Sequence, residues 1–335
     1  YDHTVMGDTI QKPGGDAGVI RVHGTNKAVA ASVDSSALYC FSHPLTGGKQ
    51  IVCESYRNLI SVGAKPIAIT NCLNFGNPEK EKNMGEFVEC VEGITEASKY
   101  LDFPVVSGNV SFYNETKDKG IKPTPTIGGV GLISDYQQML TMDFKTEGNL
   151  VYVIGKTDGH LDQSIFAREL LNEKKGPPPT VNLFNEKNIG ETVLDLSRKN
   201  LIVSCHDVSL GGILTAVSKM CIKGKKGIKI NSLKGLTNKY EYFFGEDQAR
   251  YIVEIPEAGL KKVDVPISEG ISTYKVVDRS DPLIETALAL GVYVGDIKWM
   301  FIPIEKISNL QEFKKDIFSG KVFVFQKSKT SNDLI

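Results

Sequence analysis

The stretch from Asn71 to Glu115 constrains the fold more than any other. It opens on NCLNFGNPEK (71–80) and closes on PVVSGNVSFYNE (104–115). Between these ends Phe87, Val91, Ile94, Ala97 and Leu101 recur at helical spacing, with charged residues on the other face. Short apolar runs at 66–70 and 104–106 precede the two polar ends. The pattern predicts strand, polar loop, helix, strand, polar loop. Both loops then lie at one edge of a sheet, where ligands of α/β proteins gather.

Gly76 and Gly108 lack the Cβ that would keep a phosphate or ribose away from bare backbone. Asn74, Asn77 and Asn109 add neutral donors and acceptors suited to hydroxyls, phosphate oxygens or a metal's water shell. The plain alternative is that these Asn-Gly clusters are turns between strand and helix. Pattern alone leaves the two readings about even.

A chain of 335 residues has room for two domains, each with its own core. The formal net charge of -1 and the scattered lysines leave no footprint for nucleic acid or a membrane surface. No apolar run reaches membrane-spanning length. The six cysteines form no CxxC pair and sit in apolar or helical patterns, as reduced cytosolic thiols do. The five histidines show no ligand spacing with one another. The chain opens on Tyr1 rather than Met, as a piece of something longer would.

In chain order, strands are expected at 18–22 and 28–33, the second running into Asp34. A carboxylate at a strand end is a candidate metal or nucleotide ligand, and equally a helix cap. Residues 43–48 read as a loop and 49–62 as a helix. Three glycines (Gly128, Gly129, Gly131) in the strand expected at 126–133 imply a bulge or a close neighbour. The pattern breaks near 135–148. Beyond it, strands at 150–154, 201–204, 250–255, 275–278 and 299–304 alternate with helices at 162–172, 190–199, 213–220, 282–290 and 310–318, and the tail after 327 is polar. Asp207 and Ser209 precede a Gly-rich helix start that favours anions or a metal–phosphate, while a helix cap and a core His206 are the bland reading. Glu246 and Asp247 pair carboxylates beside a strand. No Walker A, dinucleotide-binding, Ser-His-Asp or kinase signature occurs.

Taken in order, YDHTV (1–5), CLNFGNPEK (72–80), SGNVSFYNE (107–115), PTPTIGGVGLI (123–133), HDVS (206–209) and FGEDQAR (244–250) resemble the synthetase subunit of phosphoribosylformylglycinamidine synthases. The resemblance covers essentially this whole chain but only the C-terminal half of that subunit. It implies an α/β (α+β) architecture with an aminoimidazole ribonucleotide synthetase-like A domain over 1–143, a mixed sheet with helices on one face. An α/β B domain follows over 144–335. Such ligases use ATP and Mg2+ to convert formylglycinamide ribonucleotide and ammonia, drawn from glutamine, to the amidine in purine biosynthesis.

The resemblance places ATP contacts at Asn71 and Gly108, a magnesium contact at Asn109 and a substrate contact at Ser111. Asp34, Asp207 and Glu246 mark an auxiliary nucleotide site. The catalytic histidine is expected in the N-terminal half, so the fragment alone is expected to be inactive. Two residues depart from the family pattern: Asn71 and Leu210 stand where relatives commonly carry Asp. The implied partners are the N-terminal half, a glutaminase subunit and a small bridging subunit in the cytoplasm, with a homodimer for the isolated fragment. The competing readings are a non-catalytic scaffold half with a structural nucleotide, and a related ATP-dependent synthetase or kinase active as a homodimer.

Overall fold

The computed structural model describes residues 6–230 and 238–256, with the backbone of three further short strands. The first part of the chain runs β1 (Thr9–Gln11), β2 (Gly18–Arg21), β3 (Ala28–Ser35), α1 (Ala37–Ser42), α2 (Pro44–Ser61), β4 (Lys65–Asn74), α3 (Glu81–Tyr100) and β5 (Val105–Ser111). A small hairpin of β6 (Glu115–Thr116) and β7 (Lys119–Gly120) leads to β8 (Thr124–Ile133). These strands form a mixed six-stranded sheet ordered β1-β2-β3-β8-β4-β5. Only β4 and β5 are parallel, because α3 is the crossover between them.

The helix expected from residue 49 begins earlier, at Pro44. Proline suits a first helical position, and His43 Nδ1 accepts the Thr46 N–H at 3.3 Å. Gly47 and Gly48 are therefore helical, not loop, and they serve close approach. A Cβ on Gly47 would fall below 3.0 Å from Cys40 in α1, and one on Gly48 would strike the Cys90 carbonyl in α3. The glycines of β8 do the same for the sheet: Ser55 and Leu59 of α2 press on Gly129, and Ala64 presses on Gly131.

The second part runs β9 (Leu150–Ile154), α4 (Leu183–Arg198), β10 (Ser204–Asp207), α5 (Gly212–Gly224), β11 (Gly227–Ile230), α6 (Lys239–Phe244), β12 (Tyr251–Ile255), β13 (Thr273–Val277), β14 (Val292–Val294) and β15 (Ile297–Lys298). Its sheet is ordered β10-β12-β9-β13-β11-β14-β15. The helix expected at 162–172 shrinks to one π-helical turn, Phe166–Leu170. The strand expected at 201–204 lies further on, so Cys205, His206 and Asp207 are strand residues paired with Val253, Ile252 and Tyr251. The expected helices at 282–290 and 310–318, the strand at 299–304, the tail after 327 and the YDHTV stretch lie outside the described residues.

Helix α2 is buried nearly all round because both parts of the chain pack on it. Ile51, Leu59 and Ile60 share one apolar cluster with Ile69 and Ile127 of the first sheet, and also with Val193 of α4, Cys205 of β10 and Val253 of β12. A second cluster, built on Phe144, Val217, Met220 and Ile252, lies within the second part. Among the described residues no helix is long and apolar enough to cross a membrane.

Candidate functional site

The structure corrects the expected polar loops. Asn71 and Asn74 lie in β4, and Gly108, Asn109 and Ser111 lie in β5. A parallel ladder extends to the ends of both strands and satisfies backbone groups that a loop would leave to water. Asn71 pairs with Gly108, and Asn74 with Ser111. A Cβ on Gly108 would overlap Asn71 Oδ1, so the amide lies across that bare backbone. Strand alternation puts Asn71 and Gly108 on the helix-bearing face, with Asn109 and Ser111 on the other. All four therefore cluster at one strand edge but split between two faces. Asn109 is exposed, as is the whole of β5 up to Ser111, and Ser111 Oγ receives a 3.2 Å bond from Asn114 Nδ2. Gly76 and Asn77 do sit in a loop, beyond β4.

Asp34 and Asp207 lie instead beside α2, among charged residues that sequence pattern does not single out, while Glu246 lies against Tyr39 of α1. Arg57 is the centre. It has no solvent exposure, and its guanidinium meets Glu186 Oε1 at 2.7 Å, Glu54 Oε2 at 2.5 Å and Asp207 Oδ2 at 3.7 Å. Burial pulls its pKa down, but Glu186, Glu54 and Asp207 outweigh that and hold it well above the usual range. Asn58 Nδ2 donates to Asp34 Oδ1 at 2.7 Å, which leaves Asp34 Oδ2 buried without a partner. Burial, with Glu54 and Asp16 adding to it, pushes the Asp207 carboxyl well above the carboxylate range.

Glu246 is fully engaged. Tyr39 Oη donates to one carboxylate oxygen at 2.5 Å, and the N–H groups of Ile165 and Gly211 donate to the other at 2.8 Å. The anion expected at the Gly-rich start of α5 is thus this carboxylate, reached because Gly211 takes a positive φ. Asp247 accepts the backbone N–H groups of Gly159 and His160 at 2.9 and 3.1 Å, and buried Arg250 bonds Gly245 O at 2.6 Å. The FGEDQAR stretch therefore ties loops together.

Asp34 supplies a pH prediction. Burial raises its carboxyl to about 7, with Glu54 adding to the shift. The folded chain then keeps a proton that the unfolded chain releases, so this group's contribution falls as pH rises from about 4 to about 7 and is flat above. One such proton changes stability by at most about 1.4 kcal/mol per pH unit. Asp34→Asn is expected to flatten that limb. Urea midpoints across this range in EDTA check it, and a slope unchanged from the parent chain would contradict the buried acid.

The two-part architecture has a match. Residues 14–133 fit the N-terminal domain of AIR synthase related proteins, and 146–264 fit their C-terminal domain. The chain belongs to the AIR synthase related family. Within that family it is 74% identical over 270 residues to the PurL subunit of phosphoribosylformylglycinamidine synthase from Pelagibacter ubique. That alignment covers 81% of this chain but only 37% of the relative, so the chain spans little more than a third of its length. Among solved structures, Thermotoga maritima PurL complexed with FGAR matches with a TM-score of 0.66 at 19% identity, covering 83% of this chain and 45% of that one. The same protein complexed with ATP matches at 0.55 and 23%, covering 80% and 38%. At those identities the AIR synthase related fold is the common ground.

Proposed function

We propose that this chain is the C-terminal half of an ATP-dependent C–N ligase, the synthetase subunit of a phosphoribosylformylglycinamidine synthase. In this reading a boundary at 143/144 separates its A- and B-type domains. The observation that carries the proposal is the 74% identity to a PurL subunit across both parts of the chain. The solved PurL complexes with FGAR and with ATP support the substrate and the nucleotide. ATP activates the glycinamide carbonyl oxygen of formylglycinamide ribonucleotide by phosphorylation, and ammonia displaces the phosphate to leave the amidine.

The β4–β5 edge supplies neutral groups to that chemistry. Asn71 and the bare backbone of Gly108 receive ATP, Asn109 offers an amide oxygen to Mg2+, and Ser111 contacts the substrate. Amide and hydroxyl oxygens fit magnesium only as completing ligands, since no carboxylate stands among these four residues. The charge-balancing ligands and the catalytic histidine belong to the N-terminal half. Asp34 and Asp207 keep buried oxygens without a hydrogen bond that suit an auxiliary nucleotide's metal, whereas Glu246 is spent on Tyr39 and two backbone groups. A glutaminase and a small bridging subunit complete the cytoplasmic assembly. Exposed Ile20, Val33 and Ile67 on the first sheet favour a homodimer of the isolated fragment.

The test is complementation. The chain is mixed with the separately made N-terminal half, ATP, magnesium, ammonia and formylglycinamide ribonucleotide, and ADP release is followed. Turnover is expected only in the mixture, reduced at least about 100-fold by Asn109→Ala. Light scattering on the same samples is expected to show the fragment's homodimer exchanging for the mixed pair. Equal activity of the N-terminal half alone would make this chain a scaffold. Turnover by this chain alone would favour a homodimeric synthetase or kinase.

A further inference from the structure

Beside the buried guanidinium lies a second group of side chains, of which Asp207 also meets Arg57. Asp16 sits in the turn between β1 and β2, while His206 and Asp207 are neighbours on β10. One donor atom from each of the three lies within 4.8 Å of the others. All three side chains are almost completely buried, at 5%, 3% and 2% exposure. His206 Nδ1 is 2.7 Å from Asp16 Oδ1 and 3.6 Å from Asp207 Oδ1. Yet neither ring nitrogen of His206 makes a hydrogen bond, and Asp207 Oδ2 makes none either.

His206 Nε2 has no contact to offset its burial, which costs about 1–3 kcal/mol for a polar group, and a buried carboxylate whose charge is not balanced costs more. The local charge balance sharpens the problem. Asp16, Asp207, Glu54 and Glu186 gather here, and Arg57 is the cation in contact, already shared by three of them. Lys219 acts on Asp207 only from a distance.

We propose that Asp16, His206 and Asp207 bind a first-row divalent transition-metal cation that joins the first part of the chain to the second. Nitrogen plus two carboxylate oxygens is a donor set for Mn2+, Fe2+, Co2+ or Zn2+, and an imidazole disfavours Mg2+. Donors that share one ion at about 2.0–2.2 Å stand about 3 Å apart, so the Asp16–His206 contact opens slightly and Asp207 closes on it, within reach of side-chain rotation. The cation supplies the charge that Arg57 alone does not, to atoms of His206 and Asp207 that make no hydrogen bond. Because Asp16 and β10 belong to different parts of the chain, it also acts as a clasp between them. The site needs no nucleotide and stands apart from Asn71, Gly108, Asn109 and Ser111; Asp207 is the residue it shares with the auxiliary nucleotide site proposed above, to which Asp16 and His206 do not belong.

The experiment is a titration of the EDTA-treated, gel-filtered 335-residue chain with Co2+, without nucleotide. The visible band of the ion reports ligation, and the free ion reports stoichiometry. About one Co2+ per chain is expected, bound at least about tenfold more weakly by His206→Gln and by Asp16→Asn. An excess of Mg2+ is expected not to displace it. No stoichiometric binding, unchanged affinity in a folded His206→Gln chain, or displacement by equimolar Mg2+ would overturn the site. Should both variants fail to fold, Cu2+ bound to the parent chain decides. Electron spin echo modulation from an imidazole nitrogen supports His206 as ligand, and its absence overturns it. Because no nucleotide or substrate is present, failure here leaves the ligase reading intact, and failure of complementation leaves the cation site intact.

Discussion

Replacing Arg57 with methionine is expected to remove about 3–5 kcal/mol of stability. The guanidinium and Glu186 are both at 0% exposure, so no water can take over when the partner disappears. Glu186 also accepts the Ala249 N–H at 3.0 Å, which fixes it in place as a buried anion. Arg57 further holds Glu54 and donates to Gln248 Oε1 at 3.2 Å. Lysine carries the charge but not the planar fork, so Arg57→Lys should recover little of the loss. Arg57→Met combined with Glu186→Leu should recover much of it, because the stranded charge leaves with its partner. Urea unfolding of the three variants reads this directly. A loss under about 1 kcal/mol for Arg57→Met would show that water reaches the group.

The second large effect belongs to glycines that have no conformational role. A methyl on Gly93 of α3 would strike the Leu45 carbonyl of α2, and one on Gly48 would strike the Cys90 carbonyl of α3. In both cases the obstacle is backbone, which cannot swing aside as a flexible side chain can. Gly48→Ala and Gly93→Ala are therefore expected to cost about 2–3 kcal/mol or more, as overpacking does. Gly85 is the internal control. It lies in the same α3, where an added methyl meets nothing within 4 Å. Gly85→Ala should stabilise by about 0.5–1 kcal/mol. Denaturation midpoints of the three chains settle the matter, and a common sign for all three would refute the close crossing of α2 and α3.

The central strand–helix–strand unit was legible because its helix shows one clean period, with Ile94, Ala97 and Leu101 buried as the spacing requires. Its polar ends were misread as loops because Gly and Asn usually mark turns. Here the parallel ladder continues through them, and a pairing between distant strands leaves no local trace. The Gly47–Gly48 pair misleads in the same way, since only the partner helix reveals that those glycines are contact points. The buried charges around Arg57 were unreadable for a related reason. Glu54 and Arg57 sit three apart on one helix and look like an ordinary surface pair. Only the arrival of Glu186 and Asp207, from more than 120 positions away in the chain, turns them into an interior group. His206 and Asp207 were visible as a motif, but Asp16 carried no signal linking it to them.

Helix α2 belongs by sequence to the first part of the chain and by packing to both. One side presses on Gly129 of β8, and the other receives Gly190 of α4, which lies against Tyr56 and Ile60. A recombination event at the change of sheet would therefore cut through a matched surface, even though it falls between regular elements. For exchange between relatives, the heritable unit is α2 together with α4, β10 and β12, and a new second part is accepted only if it brings the complementary relief with it.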